Sequence, residues 1–288
     1  MRYVFLLFTL LTLNACSYTP ETLQNAYHNL GKDYARELKQ MASFNADEQA
    51  RIDGFGVQIQ QWHQQQQLPK YTQVFQALAT SLKTQDAVPR DKLADFVDLL
   101  DGYPHFNEAR EVNLHLATLA EKLKEEQYAQ IATRLREGVA DQEEYLLAMS
   151  PQKLQRQQVK SMNNFAAFVG VELSQEQLAL VERHVAGLPD QRNDMITTHR
   201  QWTEGLIALL AKRGQADFPA QFARHMLDDS DARRLQQYAP AAAQENRQRV
   251  LVMLEELLAS LSAQQKATLA GKLQSIADTF AGMVKPAQ

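Results

Sequence analysis

One cysteine, Cys16, is all that the 288 residues contain, so no internal disulfide and no cysteine-based zinc site can form. Glycine is sparse and scattered, 11 residues in all, and neither a Gly-rich phosphate loop nor a Gly-x-Ser-x-Gly elbow occurs. Basic charge is not in excess: 30 Lys and Arg face 34 Asp and Glu, a net of −4. Such a balance gives no electrostatic footprint for nucleic acid and no polybasic patch for anionic lipid. His-Glu-x-x-His, Asp-rich calcium loops and Glu-x-x-His pairs are missing too. No metal ligand set, cofactor or catalytic residue is therefore expected. Strand-like alternation of useful length is also lacking. What remains is an ordinary globular composition, 45% hydrophobic and 22% charged, in a chain long enough to bury a sizeable core.

The N-terminus is more distinctive. Met1-Arg2 is a short positive segment, and Tyr3–Leu13 is an apolar or hydroxyl run of 11 residues. That is about half of the ~20 residues needed to span a bilayer, so the run reads as the core of an export signal. Leu13-Asn14-Ala15-Cys16 follows and resembles the lipobox of bacterial lipoproteins, with Leu three residues before the cysteine and Ala directly before it. By that resemblance residues 1–15 are a lipoprotein signal peptide and Cys16 is acylated, palmitate included, at the mature N-terminus. Residues 16–19 then form the lipidated cysteine and a short tether. Each buried CH₂ contributes ~0.8 kcal/mol, so two or three acyl chains hold a protein on a membrane essentially permanently. The alternative is an ordinary cleaved signal with an incidental cysteine. Ser17, rather than Asp, follows Cys16, which in Gram-negative bacteria resembles outer-membrane sorting toward the periplasmic face.

Residues 20–288 read as a single all-α domain, an antiparallel bundle of roughly ten to thirteen helices joined by short turns. Leu23, Tyr27, Leu30, Tyr34, Leu38 and Met41 advance by three or four residues, one stripe of a helix opened by Thr19-Pro20. Ile52, Phe55, Ile59 and Trp62 form a second stripe, which Leu68-Pro69 is expected to end. Further stripes run through Val112–Leu123, Tyr128–Leu135, Leu178–Leu188, Val250–Leu261 and Leu269–Phe280. Turns are expected at Pro89, Tyr103-Pro104, Pro151, Phe218-Pro219 and Pro240. Ser174-x-x-Gln177, Ser262-x-x-Gln265 and Asn45-x-x-Glu48 have capping-box spacing, each with Leu or Phe just before the cap. Leu123-Lys124-x-x-Gln127 has the spacing without the hydroxyl, and Ser150-Pro151 has a cap without the box. Gly54-Phe55-Gly56 falls inside a helical stripe, where it permits close helix packing.

Two segments carry the candidate partner-binding residues. In the first, Trp62-His63 ends one helix and Tyr71 opens the next across Leu68-Pro69; in the second, Thr198-His199-Arg200-Gln201-Trp202 repeats the mixture of aromatic and cation. One reading packs Trp62 and Tyr71 into the corner between two helices and Trp202 into the Ile196/Leu206/Leu209 stripe. The other makes Trp62, His63, Tyr71, Arg200 and Trp202 an aromatic–polar surface that grips a partner, because Trp, Tyr and Arg dominate interface anchors. The two Trp–His segments also hint at an internal repeat, although chance explains that match more simply. Glu111 and His115 lie four apart, as do Arg200 and Glu204 beside His199, but neither pair brings a third or fourth metal ligand.

Together, the Cys16 segment, the Tyr-rich first helix, Phe44-Asn45-Ala46-Asp47-Glu48-Gln49, the Trp62-His63 to Leu68-Pro69-x-Tyr71 element and the later Ser-x-x-Gln boxes resemble a group of Gram-negative lipoproteins of unknown function. Phe44 and Asn45 stand where that group usually has Leu and Thr. The boxes also resemble short Leu-Thr-x-x-Gln pieces of periplasmic stress chaperones of the Spy and CpxP type. These likenesses imply a membrane-anchored envelope protein with a helical interaction domain, chaperone-like or scaffolding, bound to the membrane through lipid on Cys16 and to another envelope protein. The alternative is an envelope enzyme acting on cell wall or lipid, its site assembled from dispersed residues.

Overall fold

The computed structural model describes residues 19–85, 87–101, 110–227 and 231–284, and among these no strand occurs. The fold is an all-α multi-helix bundle. Its helices are α1 (Pro20–His28), α2 (Leu30–Gln40), α3 (Ala46–Trp62), α4 (Leu68–Thr84), α5 (Arg90–Asp101), α6 (Arg110–Ala120) and α7 (Glu125–Leu147). These are followed by α8 (Pro151–Phe168), α9 (Gln175–Ala186), α10 (Arg192–Leu210), α11 (Phe218–Met226), α12 (Asp231–Tyr238), α13 (Pro240–Ser260) and α14 (Ala263–Met283). Cys16, the signal segment and the Tyr103-Pro104 turn lie outside the described residues.

Leu68-Pro69 does not end a helix, contrary to the sequence expectation. A π-helical turn, His63–Gln67, joins α3 to α4 without a break, and the Leu68 amide donates to the carbonyl of His63. Proline normally stops a helix because its ring clashes with the carbonyl four residues back and its amide has no hydrogen. The wider π turn relieves that crowding, so Leu68 keeps right-handed helical angles even directly before Pro69. Ala46–Thr84 is thus one rod rather than two helices meeting at a corner.

The predicted boxes form. Asn45, Ser174 and Ser262 each accept from the amide three residues on, and Glu48, Gln177 and Gln265 reach back to the cap amides. Ser150 accepts from the Lys153 amide. Gln127 makes only the return bond, to the Lys124 amide at 3.0 Å, since a lysine side chain has no acceptor. The boxes also join in pairs. Gln177 and Gln265 exchange side-chain amide bonds at 3.0 and 2.9 Å, and each donates to the carbonyl two residues before the other's cap, Ser260 and Glu172. Gln127 does likewise with Glu48, at 2.8 Å, and with the Ser43 carbonyl.

These paired boxes mark an internal two-fold repetition. Residues 116–135 and 254–273 align without a gap, matching Leu116/Leu254, Leu119/Leu257, Leu123/Leu261, Gln127/Gln265, Ala129/Ala267, Ala132/Ala270 and Leu135/Leu273. Helices α2 to α7 then correspond to α8, α9, α10, α11, α13 and α14, and their packing partners correspond as well. Thus α2 packs on α3 as α8 does on α9, α3 on α6 as α9 on α13, and α4 on α5 as α10 on α11. Two further sets of pairs cross between halves: α4 packs on α14 as α10 does on α7, and α5 on α13 as α11 on α6. One apolar cluster accordingly forms around Tyr71, Phe75, Leu93, Leu257, Leu273 and Phe280, and its counterpart around Leu135, Trp202, Leu206, Phe218 and Phe222. The repeat is not the Trp–His echo of the sequence. Tyr71, Phe75, Leu78 and Ala79 of α4 share their spacing with Trp202, Leu206, Leu209 and Leu210 of α10, which makes Tyr71 the counterpart of Trp202.

Candidate functional site

Of the five residues expected to meet a partner, three have buried side chains. His63, Tyr71 and Trp202 are 0%, 1% and 1% exposed, so a surface role for these rings does not hold in this fold. Each ring has neighbours from other elements: Tyr71 meets Phe280 of α14, Trp202 lies in the cluster with Leu135 of α7 and Phe222 of α11, and His63, on the π turn, lies between Tyr27 and Tyr71. Trp62 is half-buried at the edge of the Phe55/Ile59/Val112 cluster. Arg200 is exposed and pairs with Glu143 across the α7–α10 groove, parallel to the neighbouring Arg136–Glu204 pair. Mutual hydrogen bonding and charge hold the Glu204 carboxyl below, and the Arg136 guanidinium above, their ordinary pKa values.

Around His63 the π turn organises a chain of polar rings. Tyr27 Oη lies 2.9 Å from His63 Nδ1, and Tyr71 Oη lies 3.2 Å from His63 Nε2. The Tyr71 ring in turn packs edge-on against Phe280 of α14. Gln60 adds a second clasp: its Oε1 accepts from the Gly31 amide at 2.7 Å, and its Nε2 donates to the Tyr27 carbonyl at 3.2 Å. Helix α1 is thereby fastened to both α3 and α4. Burial of an imidazole is tolerated here because both ring nitrogens have phenol partners.

The counterpart region around Trp202 is built differently. Trp202 Nε1 donates to the His225 carbonyl at 3.1 Å, and His225 Nε2 donates to the Trp202 carbonyl at 2.8 Å. The two rings stack with centroids 5.1 Å apart, which is possible because Gly205 leaves the space where a Cβ would meet His225 Cε1 at 2.8 Å. The Arg234 guanidinium covers the Trp202 ring at 5.4 Å. These groups tie α10 to α11 and α12. Among the described residues no group of three or more His, Cys, Asp or Glu is placed to hold a metal ion.

An open concavity lies elsewhere, where the C-terminal ends of α4 and α13 meet the N-terminal ends of α5 and α14. It is a cleft of about 400 Å³ with an apolar floor of Leu82, Val88, Leu93 and Leu258, and Lys266 stands at its edge. Glu255 and Glu256 also line it, the first paired with Arg90 at 2.5 Å and the second with His184 at 2.9 Å. Nothing in the sequence singled out this place, because its residues come from four elements brought together only by the crossed packing of the two halves.

Comparison with known proteins gives a match over residues 42–232 to a family of unknown function, DUF6279. The matched stretch runs from just before the Asn45–Glu48 capping box into α12. No curated protein and no solved structure matches the chain.

Proposed function

We propose that this chain, which belongs to the DUF6279 family of unknown function, is an envelope lipoprotein that lipid on Cys16 holds at the outer membrane and that acts there by binding other envelope proteins, as a scaffold or chaperone-like holder. The observation that carries this reading is how soon after Cys16 the chain becomes part of the bundle. Residues 17–19 alone separate the cysteine from α1. Fully extended, that link reaches about 14 Å at ~3.3–3.6 Å per residue. Helix α1 is itself fastened, through Tyr27 to His63 and to Gln60. An anchor on Cys16 therefore holds the bundle close against the membrane, with the α1 side toward the lipid. Among the described residues no helix is long and apolar enough to cross a membrane. The Cys16→Ser protein should lose acylation and leave the membrane fraction. Intact-mass analysis without lipid on wild-type Cys16, or unchanged membrane retention of the variant, would overturn the anchor. Density fractionation with the inner membrane alone would refute the sorting, and in-cell crosslinking that captures no envelope protein would refute the binding role.

A further inference from the structure

The internal repetition supplies a reference for the open cleft, because the same place in the other half is filled by the chain's own side chains. The α4/α10 register pairs Leu82 with Arg213, matching Val88-Pro89 to Phe218-Pro219 at the next helix start pairs Val88 with Phe218, and the 116–135/254–273 register pairs Leu258 with Ala120 and Lys266 with Tyr128. Phe218 is buried in the cluster that contains Ala117 and Ala120, with its ring 5.4 Å from that of Phe222. Arg213 lays its guanidinium over Tyr128 at 5.1 Å, donates to the carbonyls of Leu123 and Leu210, and pairs with Glu125. An aromatic ring fills the floor there, and a cation closes over a second ring.

In the open half the floor ring is replaced by the smaller Val88, and the stacked ring is replaced by a cation, Lys266. That ammonium has no hydrogen-bond or ion-pair partner among the described residues. The two carboxylates nearby already face Arg90 and His184. Compared with its counterpart this half lacks both rings, and a single incoming aromatic ring set between Val88, Leu258 and Lys266 would meet the apolar floor and the free cation together. A cation over a ring face contributes ~0.5–1 kcal/mol at exposed sites and more where water is excluded.

The cleft is set apart from the ring chain around His63. Tyr71 and Phe75 touch Phe280, whereas Leu82 lines the cleft with Lys266, so α4 and α14 run antiparallel. At 1.5 Å per residue, the eleven residues from Tyr71 to Leu82 put the cleft roughly 16 Å along α4 from the ring chain that fastens α1. The cleft therefore lies at the far end of α4 from the π turn.

We propose that this cleft is a docking site for a partner polypeptide that inserts an aromatic side chain between Val88, Leu258 and Lys266. This rests on the binding function proposed above and names the chemistry of its partner. The test uses the full-length protein in lipid nanodiscs, with N-acetyl-phenylalanine amide as probe and N-acetyl-leucine amide as comparison, read by methyl resonances of Val88 and Leu258. Saturable shifts are expected for the aromatic probe, with affinity for the leucine probe weaker by about ten-fold or more. Leu82→Arg and Lys266→Tyr together rebuild the closure of the other half, and Val88→Phe rebuilds its floor. Both variants should fold as the parent does and lose the saturable shifts. Equal binding of the two probes, or no saturable shift in the parent, overturns the proposal. In cells, Val88→Phe should abolish crosslinks to the partner while membrane retention persists. Retained crosslinks would sink the cleft and leave the wider binding role standing, whereas a parent protein with no crosslinks at all would sink that role itself.

Discussion

At the scale of single residues, the crossing of α2 and α3 depends on two glycines. A Cβ on Gly31 would stand 2.2 Å from the Gly56 carbonyl oxygen, and one on Gly56 would stand 2.6 Å from that of Gly31. Both obstacles are backbone, so the helices would have to separate. Gly31→Ala and Gly56→Ala are each expected to destabilise the protein by about 1–3 kcal/mol, the range for overpacking a tight contact. Gly54 lies two residues from Gly56 on the same helix, but nothing stands within 4 Å of its Cβ position. Gly54→Ala should therefore stabilise by about 0.5–1 kcal/mol through lower backbone entropy in the unfolded chain. Urea midpoints of the three variants check this, and a loss at Gly54 as large as at Gly56 would contradict it. The sequence showed that this glycine pair lay in a helix. Only the crossing shows which of the two is needed.

At the scale of elements, the paired boxes join helix starts that are far apart in the chain, and one member is titratable. Glu48 accepts from the Asn45 amide at 2.9 Å and from Gln127 at 2.8 Å, with Lys124 Nζ 3.2 Å away. The Asn45 amide bond foremost, then Gln127 and Lys124, hold its pKa below the ordinary carboxylate value, against an opposing effect of burial. A carboxyl depressed in the folded state contributes stability that is present above its unfolded pKa of ~4.3 and is lost as pH falls through the folded value. Glu48→Gln should copy the Gln177–Gln265 pair, its new amide donating to the Lys122 carbonyl as Gln177 donates to that of Ser260. Stability of the variant should then fall less than that of the parent as pH drops from 5 toward 3, by urea denaturation at each pH. Parallel pH profiles would refute this. The boxes themselves were legible as Ser, Asn, Gln and Glu at fixed spacing. Their pairing was not, because a glutamine used in its own cap looks the same in sequence as one that also reaches a second cap.

At the scale of the molecule, the two halves are braced across one another. Helix α4 of the first half packs on α14 of the second, and α10 of the second packs on α7 of the first. Neither half retains its main packing partner when alone, so the described helices should unfold as one unit. Trp62 sits in the α2–α3–α6 cluster and Trp202 in the α7–α10–α11 cluster, which lets fluorescence sample both regions. Urea curves of wild type, Trp62→Phe and Trp202→Phe, each followed by fluorescence and by circular dichroism, should coincide within each protein; two separated transitions would show independent halves. The sequence by itself determined the helical class, the positions of most helix starts and the apolar face of each helix, since capping and 3.6-residue periodicity are local properties. It also carries the Cys16 segment on which the proposed anchor rests. The tertiary structure alone decided that Leu68-Pro69 continues a helix, that His63, Tyr71 and Trp202 face inward, and that one end of the bundle has an open cleft where its counterpart is filled. Each of these depends on what a distant segment places against the residue, and spacing along the chain holds no record of that neighbour.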